Sequence, residues 1–257
     1  MERKLRVGAV SYLNTRPLVW GFENHDFSNR IVLSFEYPSK LLKQLRDGVL
    51  DIGLIPVVGI PQLKEAYIIS DYCIGARGKV NSVAIFSEVP MEQLTHIYLD
   101  YQSKSSVALA MLLLKEYWKQ PVEFIPAEEN FIQQINGTRG AVVIGDRALE
   151  LLRSCKYHYD LAEAWNRHTG LPFAFAVWVA NKPLTKDFIA EFNLATGEGM
   201  HHFAEIVANV NFPAYDLMHY YTYDLDYTLD NKMKEAINLF LEKLSLLNPL
   251  LPPVSQR

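Results

Sequence analysis

The stretch Val7-Gly-Ala-Val-Ser-Tyr-Leu-Asn-Thr-Arg-Pro17 constrains this chain more than any other. Arg6 to Val10 mixes β-formers with small residues, the composition of a buried strand. Ser11, Tyr12, Asn14 and Thr15 then place hydroxyls and an amide where that strand ends. Pro17 fixes φ and suits the first turn of a helix over 18–22. In open α/β sheets, ligands occupy the crevice beyond the carboxyl ends of strands. Ser11, Tyr12 and Asn14 are therefore binding-site candidates. The same residues also suit a turn that only caps a helix, and spacing alone leaves both readings open.

The rest of the chain fits an α/β protein with room for two lobes. At 257 residues it can bury one large core or two smaller ones. Residues 31–37 read as a second strand, followed by a helix from Pro38-Ser39 that buries Leu41, Leu42 and Leu45 and stops at Gly48. Residues 50–56 form a short buried strand, and 66–74 and 80–86 two more, separated by the polar turn 76–79. Arg77 and Lys79 in that turn suit an anion, although exposed turn cations are common. The pattern restarts at Ser87. A strand over 94–100 leads through Tyr101-Gln-Ser-Lys-Ser-Ser106 into a long helix over 107–118, with another strand at 121–126. A short helix at 130–135, a turn and the buried strand 141–146 repeat the order seen between Ser39 and Pro56. Residues 160–169 are polar around Trp165, and 170–179 form a long apolar strand suited to carrying the chain back to the first lobe. Helices are expected over 186–209, 215–221 and 231–247, ahead of a Pro-rich tail from Asn248. The domain expectation is a first lobe over 1–86, a second over 87–178, and a return to the first lobe over 179–257.

Ser105 and Ser106 stand at a helix N-terminus, where hydroxyls, unpaired backbone N–H groups and the positive dipole end favour a carboxylate or phosphate. Plain N-capping is the alternative. Asp146 is placed either to orient a substrate hydroxyl or to cap the helix at 147–152.

Other chemistries find no support in the sequence. A net charge of −4 and the lack of a dense Lys/Arg run give no footprint for nucleic acid. No stretch approaches the ~18 apolar residues of a membrane span. Residues 1–6 run into the first strand without an apolar leader, which predicts a cytoplasmic protein. Cys73 and Cys155 lie far apart and read as free thiols. There is no P-loop, GxGxxG, HExxH or GxSxG. His201 and His202 are adjacent on one helix and point to different faces, so no metal site is expected. The tyrosine-rich segment 215–227 reads as packing for the terminal helices. What remains is a cleft of neutral polar groups suited to a small organic anion, serving either a binding protein or an enzyme, and leaving homo-oligomerisation open.

Six segments in register then resemble one family: Gly8-x-Val-Ser-Tyr-Leu-Asn-x-x-Pro-Leu18, Gly48-x-x-Asp51-Ile-Gly-Leu-Ile-Pro56, Asn81-Ser82-Val83, Ser103-x-Ser-Ser106, Ile144-Gly-Asp-Arg-Ala148 and Trp165-x-x-x-Thr-Gly-Leu-Pro-Phe173. They resemble the chorismate dehydratases of the futalosine route to menaquinone. The resemblance implies a two-lobed fold like that of type II periplasmic binding proteins, a carbon–oxygen lyase that needs no cofactor or metal, and a dicarboxylate substrate. It implies catalytic roles for Asn14 and Ser82. It also implies that Ser105 and Ser106 hold a substrate carboxylate, with Ser11, Tyr12 and Asp146 near the cleft. Two alternatives stand beside it. One is a non-catalytic cytoplasmic protein that binds a small anion. The other is the sister 1,4-dihydroxy-6-naphthoate synthase family, which carries a Cys-Pro-Asn-Asp-Thr type opening and a histidine near the position of Gly145-Asp146.

Overall fold

The computed structural model describes residues 3–25 and 27–247. Its strands fall into two sheets. The first contains Leu5–Val10 (β1), Ile31–Glu36 (β2), Ile52–Pro56 (β3), Tyr67–Ala76 (β4), Phe173–Ala180 (β10) and Asp226–Thr228 (β11), in the order β11-β4-β10-β3-β1-β2. The second contains Val83–Ser87 (β5), His96–Leu99 (β6), Glu123–Pro126 (β7), Arg139–Ile144 (β8) and Tyr157–Asp160 (β9), in the order β7-β6-β8-β5-β9. Both sheets are mixed. β1 runs parallel to β2 and β3, whereas β10 runs antiparallel to β3 and β4. In the second sheet β6 is parallel to β7 and β8, and β5 is antiparallel to β8 and β9.

The chain changes sheets earlier than the boundary expected at 86. β5 pairs with the second sheet, Ala84 lying opposite both Val143 and Asp160. The crossing is therefore the segment between Ala76 and Val83. Two consecutive N–H groups there, of Val80 and Asn81, donate to Asp160 Oδ2 at 2.9 and 2.7 Å, and Asn81 takes a left-handed φ of 61°. That capture draws the segment after the polar turn into the second sheet, where the sequence expectation keeps both flanking strands in the first lobe. The return is also earlier than 178, because β10 lies wholly in the first sheet. All eight of its residues are buried, as the unbroken apolar run 173–180 requires of a strand covered on both faces.

Helices cover the sheets. Arg16–Asn24 (α1) packs against Lys186–Glu198 (α6), and a Cβ on Gly21 would stand 2.1 Å from Ala195 O, so only glycine lets the two helices approach this closely. Pro38–Arg46 (α2) begins at Pro38 as read and buries Leu41, Leu42 and Leu45. Lys104–Glu116 (α3) is the long helix of the second lobe, and Asp146–Leu151 (α4) follows β8. The polar stretch after Asp160 is a helix, Leu161–Thr169 (α5): Asp160 Oδ1 accepts from Glu163 N–H at 3.0 Å, Gly170 at φ 75° ends it, and its inner face buries Trp165. The helix expected over 186–209 breaks at 199–201, giving α6 and Phe203–Ala208 (α7). The next expected helix shrinks to Leu217–His219 (α8) followed by a π-turn over Tyr220–Asp224.

Asn231–Leu247 (α9) matches its reading and joins the lobes. Phe240 packs edge-on to Trp165 and Phe173 at 5.8 and 4.9 Å between ring centres, and Lys243 Nζ reaches Glu116 of α3 at 2.6 Å. The tail expected after residue 247 lies outside the described residues.

Candidate active site

Between the two sheets lies a narrow cleft, partly open to solvent. Its floor is apolar, with Val10, Ile74 and Phe175 among the lining residues. Its polar groups are Tyr12, Asn14, Ser82, Ser103 and Ser106, and no charged side chain lines it among the described residues.

Asn14 stands in the 3-10 turn Leu13–Thr15 just beyond the end of β1, where the strand-end rule placed a ligand crevice. It is almost fully buried. Thr15 Oγ1 donates to its Oδ1 at 3.3 Å, and Tyr227 OH donates to its main-chain carbonyl at 2.9 Å. The Nδ2 group makes no hydrogen bond to protein among the described residues. Ser82 ends the crossing segment and is 1% exposed. Its N–H donates to Val80 O and its carbonyl accepts from Gly145 N–H, both at 2.7 Å. Its Oγ accepts from Tyr220 OH at 2.7 Å.

The serines at the start of α3 divide their work. Ser103 is the N-cap, accepting from Ser106 N–H at 3.3 Å, and the two hydroxyls lie 2.8 Å apart on the cleft wall. Ser105 is fully buried and faces away from the cleft lining. Its Oγ accepts from the N–H of Val58, just past β3, at 3.4 Å. Successive helical residues point about 100° apart, so adjacent serines do not share a face.

Tyr12 lines the cleft and Ser11 does not. Ser11 is exposed, and its N–H donates to Glu36 O at 3.1 Å. Tyr12 OH donates to Gln102 Oε1, which also accepts from Arg147 Nη2 at 2.8 Å. The same Arg147 nitrogen donates to the fully buried Asp100 carboxylate at 2.6 Å. Burial raises the Asp100 carboxyl above its ordinary pKa, against the pull of Arg147.

Asp146 lies one residue beyond the lining, where Oδ1 accepts from Leu13 N–H at 3.1 Å. Burial pushes its pKa up to about 6, helped by Glu150 and opposed by that hydrogen bond and by Arg16 and Arg147. Gly145, before it, has φ 64° and ψ −145°, a conformation that suits glycine. A Cβ there would meet the Tyr12 ring at 3.1 Å.

Other expectations resolve as structure. Arg77 is engaged by Asp226 and Asp230, and Lys79 is exposed. The His202 ring stacks on Trp20 at 3.7 Å, and no group of His, Cys, Asp or Glu suited to a metal ion occurs among the described residues. Cys73 and Cys155 are free thiols. The described helices include none long and apolar enough to cross a membrane.

The tyrosine-rich segment does more than pack. Tyr220 holds Ser82, Tyr221 OH donates to Leu13 O at 3.0 Å, and Tyr227 holds Asn14. A buried tyrosine hydroxyl needs a partner, and that rule is the one signal the sequence offered for these three contacts.

A family model described as menaquinone biosynthesis matches residues 5–245. The chain belongs to this family. It is 25% identical to a Thermus thermophilus protein named chorismate dehydratase, over 93% of this chain and 95% of that one. It is 26% identical to a Campylobacter jejuni protein of the same name, over 94% and 98%. Among solved structures, a protein of Archaeoglobus fulgidus aligns with a TM-score of 0.74 at 12% identity, covering 96% of this chain and 98% of that one. The alkanesulfonate-binding protein of Xanthomonas axonopodis pv. citri, bound to MOPS, aligns at 0.62 with 11% identity over 98% and 96%. The menaquinone-biosynthesis protein thus has the two-lobed periplasmic-binding-protein fold that its sequence resemblance implied.

Proposed function

We propose that this protein is a chorismate dehydratase, converting chorismate to 3-[(1-carboxyvinyl)oxy]benzoate and water in the futalosine route to menaquinone. One observation carries the reading beyond the family: the cleft presents only neutral hydrogen-bonding groups, with Asn14 and Ser82 fixed at its walls by buried tyrosines. Such a site suits a reaction that needs orientation and hydrogen bonding more than a strong protein base.

The reaction removes the C3 proton and the C4 hydroxyl of the cyclohexadiene ring. The C3–H electron pair becomes the new ring double bond as the C4–O bond breaks, and aromatisation supplies the driving force. Neither a carboxamide nor an aliphatic hydroxyl takes a carbon-bound proton at neutral pH. The enolpyruvyl carboxylate of the substrate itself receives it and passes it to the departing oxygen, which leaves as water with the carboxylate restored. Asn14 Nδ2 and the Ser82 hydroxyl orient the ring and donate to the leaving oxygen as negative charge develops on it. Ser103 and Ser106, with the N-terminal N–H groups of α3, hold a carboxylate by hydrogen bonds and the helix dipole. The buried Ser105 ties α3 to the first lobe.

Purified protein mixed with chorismate, without metal or cofactor, is followed by chromatography with mass detection. Loss of one water to an aromatic dicarboxylate is the expected result. Chorismate bound but unchanged replaces the enzyme by an anion-binding protein, and no binding removes the substrate. Asn14→Ala should then lower kcat by about 100-fold or more, the usual cost of one such donor, while chorismate still binds.

A further inference from the structure

The Tyr220 phenol and Ser82 hydroxyl are both buried, 2.7 Å apart, and come from segments 138 residues apart in sequence. A phenol is the better hydrogen donor of the two, so its hydrogen lies on Ser82 Oγ. The Ser82 main chain is already fixed by Val80 O and Gly145 N–H. Once Oγ accepts from Tyr220, the serine's own hydrogen needs a different direction, and the cleft it lines offers one. We propose that Tyr220 is a positioning residue for the dehydration, holding the Ser82 hydroxyl as a donor aimed into the cleft. This rests on the proposed dehydratase function and goes beyond it in assigning a role to the C-terminal segment.

The local fold supports the assignment. Tyr220 opens the π-turn Tyr220–Asp224, a wide turn of a kind often found at functional sites. Through it, consecutive tyrosines reach two different walls: Tyr220 reaches Ser82 in the crossing segment, and Tyr221 reaches Leu13 beside Asn14. One rigid piece of backbone thereby sets both donors relative to each other. Burial raises the Tyr220 pKa well above the ordinary 10.0, so the phenol stays neutral. Its contribution is polarisation and direction, without net proton transfer.

The test is steady-state kinetics on Tyr220→Phe, Ser82→Ala and the double variant, with chorismate as substrate. Tyr220→Phe keeps the ring and should lower kcat about tenfold, less than loss of a direct donor, with KM changed less than about twofold. In the Ser82→Ala background the same substitution should cost nothing further, because the group it directs is gone. Additive losses, or an unchanged kcat, overturn the proposal. Wild-type protein that leaves chorismate unchanged overturns the functional reading and this inference with it. Wild-type turnover with a kinetically unaltered Tyr220→Phe removes the Tyr220 role alone. If Tyr220→Phe does not fold, 3,5-difluorotyrosine at position 220 decides. Its more acidic phenol should shift kcat with KM held, and an unchanged kcat overturns the role.

Discussion

The main-chain N–H of Leu13 donates to the Asp146 carboxylate at 3.1 Å, joining residues 133 positions apart across the two lobes. One end lies in the turn that carries Asn14, and the other opens α4 of the second lobe. The bond therefore ties the turn that carries Asn14 to the second lobe. Asp146→Ala should lower kcat/KM by about tenfold, the worth of one hydrogen bond to a charged group, and Asp146→Asn should retain most of it because an amide oxygen still accepts. The pH dependence checks the same contact. With the Asp146 pKa near 6, the charge-assisted bond is present above that pH and weakens below it. Wild-type kcat/KM should fall only modestly, toward the Asp146→Asn level, as pH drops through about 6, and the Asp146→Asn profile should be flatter there.

Among the described residues, Arg147 is the sole arginine in contact with a carboxylate whose side chain has no solvent exposure, that of Asp100. Gln102 N–H adds a hydrogen bond at 3.0 Å, but no second cation reaches it among the described ion pairs. Arg147→Ala leaves that charge unpaired and should cost about 3–5 kcal/mol, read as a lower urea midpoint. Adding Asp100→Asn should recover much of the loss, since a neutral amide removes the buried charge. Tyr12→Phe, which removes only the hydroxyl bonded to Gln102, should leave the midpoint within about 1 kcal/mol.

Gly145 explains a further sensitivity of the cleft. Its φ of 64° and ψ of −145° disfavour any side chain, and the added carbon of Gly145→Ala would press on the Tyr12 ring. The backbone strain alone should cost about 1–3 kcal/mol. Displacement of Tyr12 should raise KM for chorismate by more than any change in kcat. Calorimetry and steady-state kinetics on this one variant separate the two effects.

The first lobe was legible because its signals are local. β1 into the Asn14 turn, α2 between Pro38 and Gly48, and β10 as an unbroken apolar run all follow from residues close in sequence. The crossing is not legible because its cause is remote: Asp160, about 80 residues on, captures the N–H groups of Val80 and Asn81. Ser105 and Ser106 both stand at a helix start and look alike in the sequence, yet adjacent helical positions face different ways. The tyrosine segment reads as packing, and Tyr220, Tyr221 and Tyr227 are indeed buried. The destinations of its hydroxyls, up to 213 residues back along the chain, are set by tertiary folding and leave no trace in spacing.

Asp160 also makes folding stability depend on pH in an uncommon direction. Burial lifts its pKa from an ordinary 3.8 to about 6, against the donors Glu163, Asn81 and Val80 N–H. A folded-state pKa above the unfolded value adds stability below the unfolded pKa, and that stability is lost as pH rises through the folded one. From well below pH 3.8 to well above 6 the wild-type protein should lose about 3 kcal/mol through this residue, at 1.36 kcal/mol for each pH unit separating the two pKa values. Asp51 has the opposite sign: burial opposes its charge, but Arg6 and Lys182 override it and hold its carboxyl well below the usual range. Its stabilisation is present above about pH 4 and fails only in stronger acid, so it does not mask the Asp160 window. Asp160→Asn keeps an acceptor oxygen for the crossing segment and removes the ionisation. Urea unfolding at pH 4.5 and pH 7 should therefore show a smaller decline in Asp160→Asn than in wild type, and equal declines would place the Asp160 pKa at its ordinary value.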